Sequence, residues 1–338
     1  MCVISAFIGD TEAAPCLVEM TKAQEIVFGG FYTGIATASD GKLYRRRAVG
    51  SFTTFASENN ISEILGHIGI SHSRTNDGGG IEWAQPRFDE SESIATVGVG
   101  IGGVLSSYEK TLALAESLNR QGAIFRTRVT GEKKNGLVLS DNSTIHGGEA
   151  WLLAIGRLYN KGKSILESTR KVNLRSESVS LFLTAKEPDR VFVANHNSRL
   201  IALKSVTGMK LVSSSIGLKE KPIWKMEIPP NTFATVTKDK VILEVLWKDE
   251  EKFDFHEPHD FTSVVYDYII RNSGVSWAEA VQGVSYASFP ENTANLGFSM
   301  FHRSIQQLLS EELIKYKINE VTGVDGQCGI PQMILFPN

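Results

Sequence analysis

Residues 3–7 form a mainly apolar run, residues 31–38 follow Gly29-Gly30, and residues 42–47 return after Asp40-Gly41, a pair suited to a hairpin turn. This pattern predicts three strands, the first of them central in a sheet. Residues 61–65 read as a short helix. Residues 66–72 predict a strand ending in the glycine-rich loop 76–80, and residues 94–99 one that runs into a second glycine-rich passage, 98–103. Helical spacing marks 108–119, stopped at Gly122, and 148–159, where Trp151, Leu152, Ile155 and Leu158 share a face. Short strands then crowd 179–183, 191–194, 200–203, 210–213, 232–237 and 241–246. Two helices between two batches of strands predict packed α and β layers, an α+β fold, rather than repeated βαβ units. Beyond a charged linker at 248–258, helical spacing over 261–270, 277–284 and 301–315 precedes a strand pair at 316–321 and 332–336. The expected organisation is a body spanning 1–247 and a small, mainly helical, winged-helix-like unit spanning 248–338.

Composition narrows the function classes. The 338 residues are 42% hydrophobic and 22% charged with a formal charge of -3, a globular profile with no global attraction to nucleic acid or anionic lipid. The triplet Arg45-Arg46-Arg47 reads as a solvated face. No stretch has the length of a membrane span, and the apolar run at residues 3–8 is too short for a secretory signal. Cys2, Cys16 and Cys328 form neither a disulfide framework nor a metal-ligand spacing. The expectation is a cytoplasmic protein with reduced thiols, without metal or cofactor. Lys161-Gly162-Lys163-Ser164 lacks the earlier glycine and the preceding strand of a phosphate loop, and His256 and His259 lack a third metal partner.

Position 2 offers specific chemistry. Removal of Met1 leaves Cys2 with a thiol and a free α-amine, whose reference pKa values of about 8.5 and about 7.7 let one residue serve as nucleophile and proton acceptor. Cys2 also leads straight into an apolar strand rather than a polar terminus.

Met1-Cys2-Val3-Ile4 resembles the Met-Cys-Gly-Ile opening of class II glutamine amidotransferases. Gly69-Ile70-Ser71-His72-Ser73-Arg74 is similar to that family's Gly-Ile-Ala-His-Thr-Arg, Ala84-Gln85-Pro86 to its Ala-His-Pro, and Gly34-Ile35-Ala36 falls at its Ala-Gly-Val-Ala. The likeness continues through residues 149–154, Glu187-Pro188-Asp189-Arg190 and Ser198-Arg199-Leu200, in common order over about residues 1–246. It implies an N-terminal-nucleophile (Ntn) hydrolase fold, an αββα four-layer sandwich. It also implies hydrolysis of a carboxylated amide such as glutamine through a Cys2 thioester, with Arg74 gripping the substrate carboxylate and the Gly100 N–H donating to the oxyanion.

The pattern departs from the family at its recognition residues. The oxyanion segment His-Asn-Gly corresponds to Gly98-Val99-Gly100, and the ammonium-binding Asp-Thr-Glu to Gly147-Gly148-Glu149. Losing one oxyanion donor typically costs about 2.7–4 kcal/mol of transition-state stabilisation. Asn76 and Asp77, in the loop after Arg74, are candidate compensating substrate contacts and equally candidate turn residues. His72 and His146 read as structural histidines. Three readings stay open: a glutaminase-like amidotransferase component, an Ntn amidase for another carboxylated amide, and an inactive scaffold binding a metabolite or protein. An acceptor-domain protein or a second copy of the chain is an expected partner. The C-terminal stretch is too short for the two-lobed sugar isomerase domain that accompanies the glutaminase in some family members.

Overall fold

The computed structural model describes residues 2–76, 78–100, 108–175, 178–248, 260–288, 294–326 and 329–338. Two large antiparallel sheets face each other. The first runs Trp224–Glu227, Ile201–Lys204, Gly208–Val212, Val3–Gly9, Ile68–Arg74, Tyr32–Ser39, Lys42–Val49. The terminal strand is therefore central, with Ile68–Arg74 on one side and Gly208–Val212 on the other. The second sheet runs Val241–Val245, Thr232–Thr237, Arg190–Asn195, Val179–Thr184, Ile94–Val99, Arg87–Phe88.

Alternation along the strands explains the layering, because successive side chains point to opposite faces. Ile4, Ala6 and Ile8 of the terminal strand and Ile68 and Ile70 of its neighbour meet Ala95, Val97, Leu181 and Val193 of the other sheet in a dry core. The opposite face carries Phe7 and Ile35 onto the helices Ala13–Gln24 and Phe52–Glu58 through Leu17, Phe52 and Phe55. On the far side, Ile94, Phe182, Phe192 and Phe233 pack against the helices Gly147–Asn160 and Ile165–Val172. Helix, sheet, sheet and helix follow one another, the α+β sandwich expected from the family resemblance.

The C-terminal region packs in an apolar cluster that it shares with the body. Its elements are the helix Phe261–Arg271, the short strand Val275–Ser276, the helices Trp277–Ser288 and Ala294–Ser310, and the antiparallel pair Ile314–Val321 and Ile330–Pro337. The cluster includes Ile26, Val27 and Ile216 of the sandwich, and Met333 N–H donates to the Ile26 carbonyl at 2.7 Å. The region is thus docked on the body through a continuous apolar joint.

Several sequence expectations need correction. The third C-terminal helix covers Ala294–Ser310 rather than 301–315: the chain turns at Glu312, with φ 57°, and Lys315 lies in a strand. The short helix at 61–65 is a single tight turn, Ile61–Glu63. The helices Ala13–Gln24, Phe52–Glu58 and Ile165–Val172 and the strand Trp224–Glu227 escaped the pattern reading. The arginine triplet is only partly a solvated face, since Arg45 stacks 4.7 Å over the Phe88 ring and Arg47 donates to the Ala84 carbonyl at 2.9 Å. Ser164 caps the helix Ile165–Val172 with a capping box to Glu167, a structural use of the residue that ends the rejected phosphate-loop match. The linker 248–258 lies almost wholly outside the described residues.

Candidate active site

The register pairs Val3 with Ser73, so the chain terminus reaches the end of the strand Ile68–Arg74. Cys2 Sγ lies 3.8 Å from Thr75 Oγ1, and the residue packs at the margin of the dry core between the sheets. Val99 closes the strand Ile94–Val99 opposite Val179, and both share a cavity with Cys2. The cavity, about 510 Å³ including its open mouth, lies where sandwich and C-terminal region meet; Arg199, Ser214, Trp277 and His302 complete much of its wall.

A hydrogen-bond chain holds the sandwich side in place. Gln24 Nε2 donates to Ser5 Oγ at 2.7 Å, while its Oε1 accepts from Ser213 Oγ at 3.0 Å and from Ser214 N–H at 2.9 Å. This ties the terminal strand to the Ser213-Ser214 edge. Gln85 performs the same task between sheets: its Oε1 accepts from Gly98 N–H at 2.8 Å and its Nε2 donates to the Gly98 carbonyl at 3.0 Å. That pairing fixes which end of the amide is NH₂, and Gln85 Nε2 also lies 3.1 Å from His72 Nε2. His72 is held well below the ordinary imidazole pKa by burial and then by Arg87 and Arg74, so its ring is neutral.

His146 is likewise neutral, through burial and the same two arginines, and its Nδ1 accepts from Gly148 N–H at 3.0 Å at the start of the helix Gly147–Asn160. Neither histidine is among the residues lining the cavity. Glu149 keeps a structural duty as well: its carboxylate accepts from the N–H groups of Arg126 and Thr127 at 2.8 and 2.9 Å and from the Thr127 hydroxyl.

The remaining described site candidates, Arg74, Asn76 and Gly100, are not among the residues lining the cavity. Arg74 is 2% exposed, lies 4.8 Å from the Tyr32 ring centroid and 5.9 Å from that of Trp83, and donates Nη1 to the Gly80 carbonyl at 3.1 Å. It stands beside Cys2 in the sheet but is not among the residues lining the cavity. Gly100 follows Val99 with φ 77° and is exposed, outside the lining set. Asn76 is exposed, and Asp77 lies outside the described residues.

Arg199 and His302 were missed as site residues. Arg199 stood in the sequence only as part of a family-like tripeptide, and His302 as a lone histidine in a helical stretch. Their meeting depends on docking of the third C-terminal helix, which no local pattern reports. Among the described residues no group of three or more His, Cys, Asp or Glu side chains is arranged to hold a metal ion, and no helix is long and apolar enough to cross a membrane.

No protein-family model matches the chain. A glutamine–fructose-6-phosphate aminotransferase (isomerizing) of Pyrococcus horikoshii is 27% identical over 210 residues, 60% of this chain and 30% of that protein. Its namesake from Methanococcus maripaludis is 32% identical over 135 residues, 39% of this chain and 21% of that protein. The chain therefore spans less than a third of the length of these curated relatives. Among solved structures, the allosteric regulatory enzyme of purine biosynthesis aligns with a TM-score of 0.59 at 16% identity, covering 90% of this chain and 64% of that one. The glutamine phosphoribosylpyrophosphate amidotransferase of B. subtilis aligns with a TM-score of 0.57 at 16% identity, covering 89% and 64%. The chain has the class II glutamine amidotransferase, Ntn-hydrolase-like fold and is related at low identity to the glutaminase domains of glutamine–fructose-6-phosphate aminotransferases.

Proposed function

We propose that this protein hydrolyses a carboxylated amide through Cys2, exposed as the N-terminal residue by removal of Met1. The supporting observation is the place of Cys2: at the start of a central strand, between the two sheets, on the wall of a cavity. The thiol proton passes to the α-amine as Sγ attacks the amide carbonyl. Collapse of the adduct breaks the C–N bond, and ammonia or an amine leaves with that proton. Water then cleaves the thioester, releasing the acid and restoring the thiol. No cofactor enters this cycle.

Two substrate readings differ in what holds the carboxylate. In the glutaminase reading it is Arg74, with Asn76, Asp77 and the Gly100 N–H completing the pocket; Arg74 would then exchange the Gly80 carbonyl for the ligand. The reading as an amidase for another carboxylated amide is favoured by Val99, whose isopropyl group stands where the family has its donor amide. It is favoured too by Gly147, which leaves the helix start without an aspartate for an ammonium group. The C-terminal order of helix, strand, two helices and strand pair supports a winged-helix-like reading of that unit. Its third helix, the one such units offer to DNA, is engaged here with the sandwich through His302, Arg303 and Gln306, which argues against nucleic acid as a partner.

Intact mass of the protein purified from its own host is expected to show Met1 removed. Ammonia or amine release from a panel of carboxylated amides is expected to fall at least about a thousand-fold in Cys2→Ala. Release that survives the substitution sinks the Cys2 mechanism, and absence of turnover across the panel with Met1 removed leaves the inactive scaffold as the better reading.

A further inference from the structure

The Cys2 cavity carries a positive charge whose hydrogen-bonding capacity is largely unused. Arg199 Nη2 donates to Gln306 Oε1 at 2.8 Å, while its Nε and Nη1 are buried and have no partner among the described residues. A guanidinium offers five donors in a planar fork, so two idle nitrogens in a buried position are costly unless something occupies them. The nearest carboxylate acting on it, Glu227, is held by Arg303 at 3.0 Å. Burial brings the Arg199 pKa down to about 10, which leaves it a cation at neutral pH.

His302 stands on the same wall. Its Nε2 lies 2.7 Å from Ser214 Oγ, and its Nδ1 is buried without a partner among the described residues. Burial, then Arg199 and Arg303, keep the ring neutral, so it adds a hydrogen-bonding nitrogen and no second charge. The same cavity is also lined by the apolar residues Val3, Val27, Phe28, Val179 and Trp277. Among the described lining residues there is no Asp or Glu. A free α-ammonium group brought into this space would be desolvated without a counter-ion among the described lining residues.

We propose, on the reading of Cys2 as the reacting thiol, that Arg199 is the carboxylate-binding residue of the cavity. The substrate class that follows is an amide joined by a short apolar or aromatic chain to a carboxylate, with no free α-amino group. Such a ligand places its scissile carbonyl at Cys2, its chain along the valine and aromatic wall, and its acid on Nε and Nη1 of Arg199. Glutamine, with its ammonium group, is the wrong member of the set.

The probes are succinamate, glutaramate, adipamate and 4-carbamoylbenzoate, with the methyl ester of each and glutamine as controls. Binding is measured by calorimetry to full-length Cys2→Ala, which separates recognition from turnover. At least one acid is expected to bind tenfold or more tightly than its ester and than glutamine. Arg199→Gln in the same background is expected to erase that preference by about tenfold or more, with Arg199→Lys recovering part of it. Alkylation of the Cys2 peptide by iodoacetamide in Arg199→Gln, otherwise wild type, is expected to match wild type and shows that the cavity persists. Equal binding of acid and ester, glutamine as the preferred ligand, or a preference that survives Arg199→Gln overturns the proposal. Selective binding without turnover by the Met1-processed protein overturns the catalytic reading of Cys2 and leaves the Arg199 subsite standing.

Discussion

Cys2, Val99 and Val179 reach the cavity from the ends of paired strands, and their neighbours on the same face are the buried residues of the inter-sheet core. Trp277, Ser299 and His302 reach it from helices of another unit, across a joint made of Ile26, Val27 and Ile216 and a few polar contacts. The first wall is fixed by register: slipping a strand by one residue would turn its whole apolar face to the wrong side. The second is fixed by docking, and its geometry lasts only as long as the joint. Chemistry that needs a fixed nucleophile belongs on the first wall, and selectivity, which varies with the ligand, belongs on the second.

The largest effect that sharpens this contrast is expected from Trp277→Ala. Trp277 is 2% exposed and meets Phe301 and His302 edge-on, each at 5.1 Å between ring centroids. Its truncation is expected to cost about 3–5 kcal/mol. Hydrogen exchange should show that loss in the helices of residues 261–310, with the amides of Val3–Gly9 largely keeping their protection. Equal loss in both places would mean that the two walls unfold as one unit.

The same contrast governs what the sequence disclosed. Strand runs such as residues 94–99, buried throughout, and 232–237, rich in threonine and other strand-favouring residues, were legible to the residue because turns bound them. The Asp40-Gly41 hairpin was legible because both residues adopt positive φ, which few other pairs tolerate. The helix Ala13–Gln24 was not, since Ala13, Ala14, Thr21 and Gln24 are buried and blur its polar stripe. At the site, Cys2 and the departure at Val99 announced themselves through local motifs. Arg199 and His302 did not, because residues 103 apart in the chain meet only through tertiary docking.

A second, smaller effect tests the register-built wall directly. Val99→Asn sets an amide donor at the end of the strand Ile94–Val99, beside Cys2. If the oxyanion forms there, single-turnover acylation should rise by tenfold or more, about 1.4 kcal/mol, short of the full value of such a donor because no preorganised shell holds the new side chain. Val99 is 8% exposed, so a stability loss of about 1–2 kcal/mol should accompany the gain. The loss without the gain would place the oxyanion elsewhere in the cavity.

The most gradual effect, spread over several pH units, concerns the residue that touches both walls. Glu25 accepts from the Ser73 hydroxyl at 2.6 Å, on the strand beside Cys2, and from Phe52 N–H, and it directly precedes the docking residues Ile26 and Val27. Burial raises its pKa from 4.5 to about 8 against the opposing pull of Ser73, Phe52 and Lys22, so the folded protein holds this carboxyl protonated at neutral pH. The unfolded chain releases the proton near pH 4.5, so the native state binds the extra proton between the two values. Its contribution to stability is therefore fully present below about pH 4.5, declines as pH rises through about 8, and is gone above it. Glu25→Gln cannot ionise and should escape that decline, so the difference in unfolding free energy from denaturant titrations, variant minus wild type, should grow more positive from pH 5 to pH 9, by on the order of a few kcal/mol at most. A difference that stays flat over that range would mean the folded state keeps an ionised Glu25 on its Ser73 and Phe52 donors, and the joint between the walls would then rest on a buried charge.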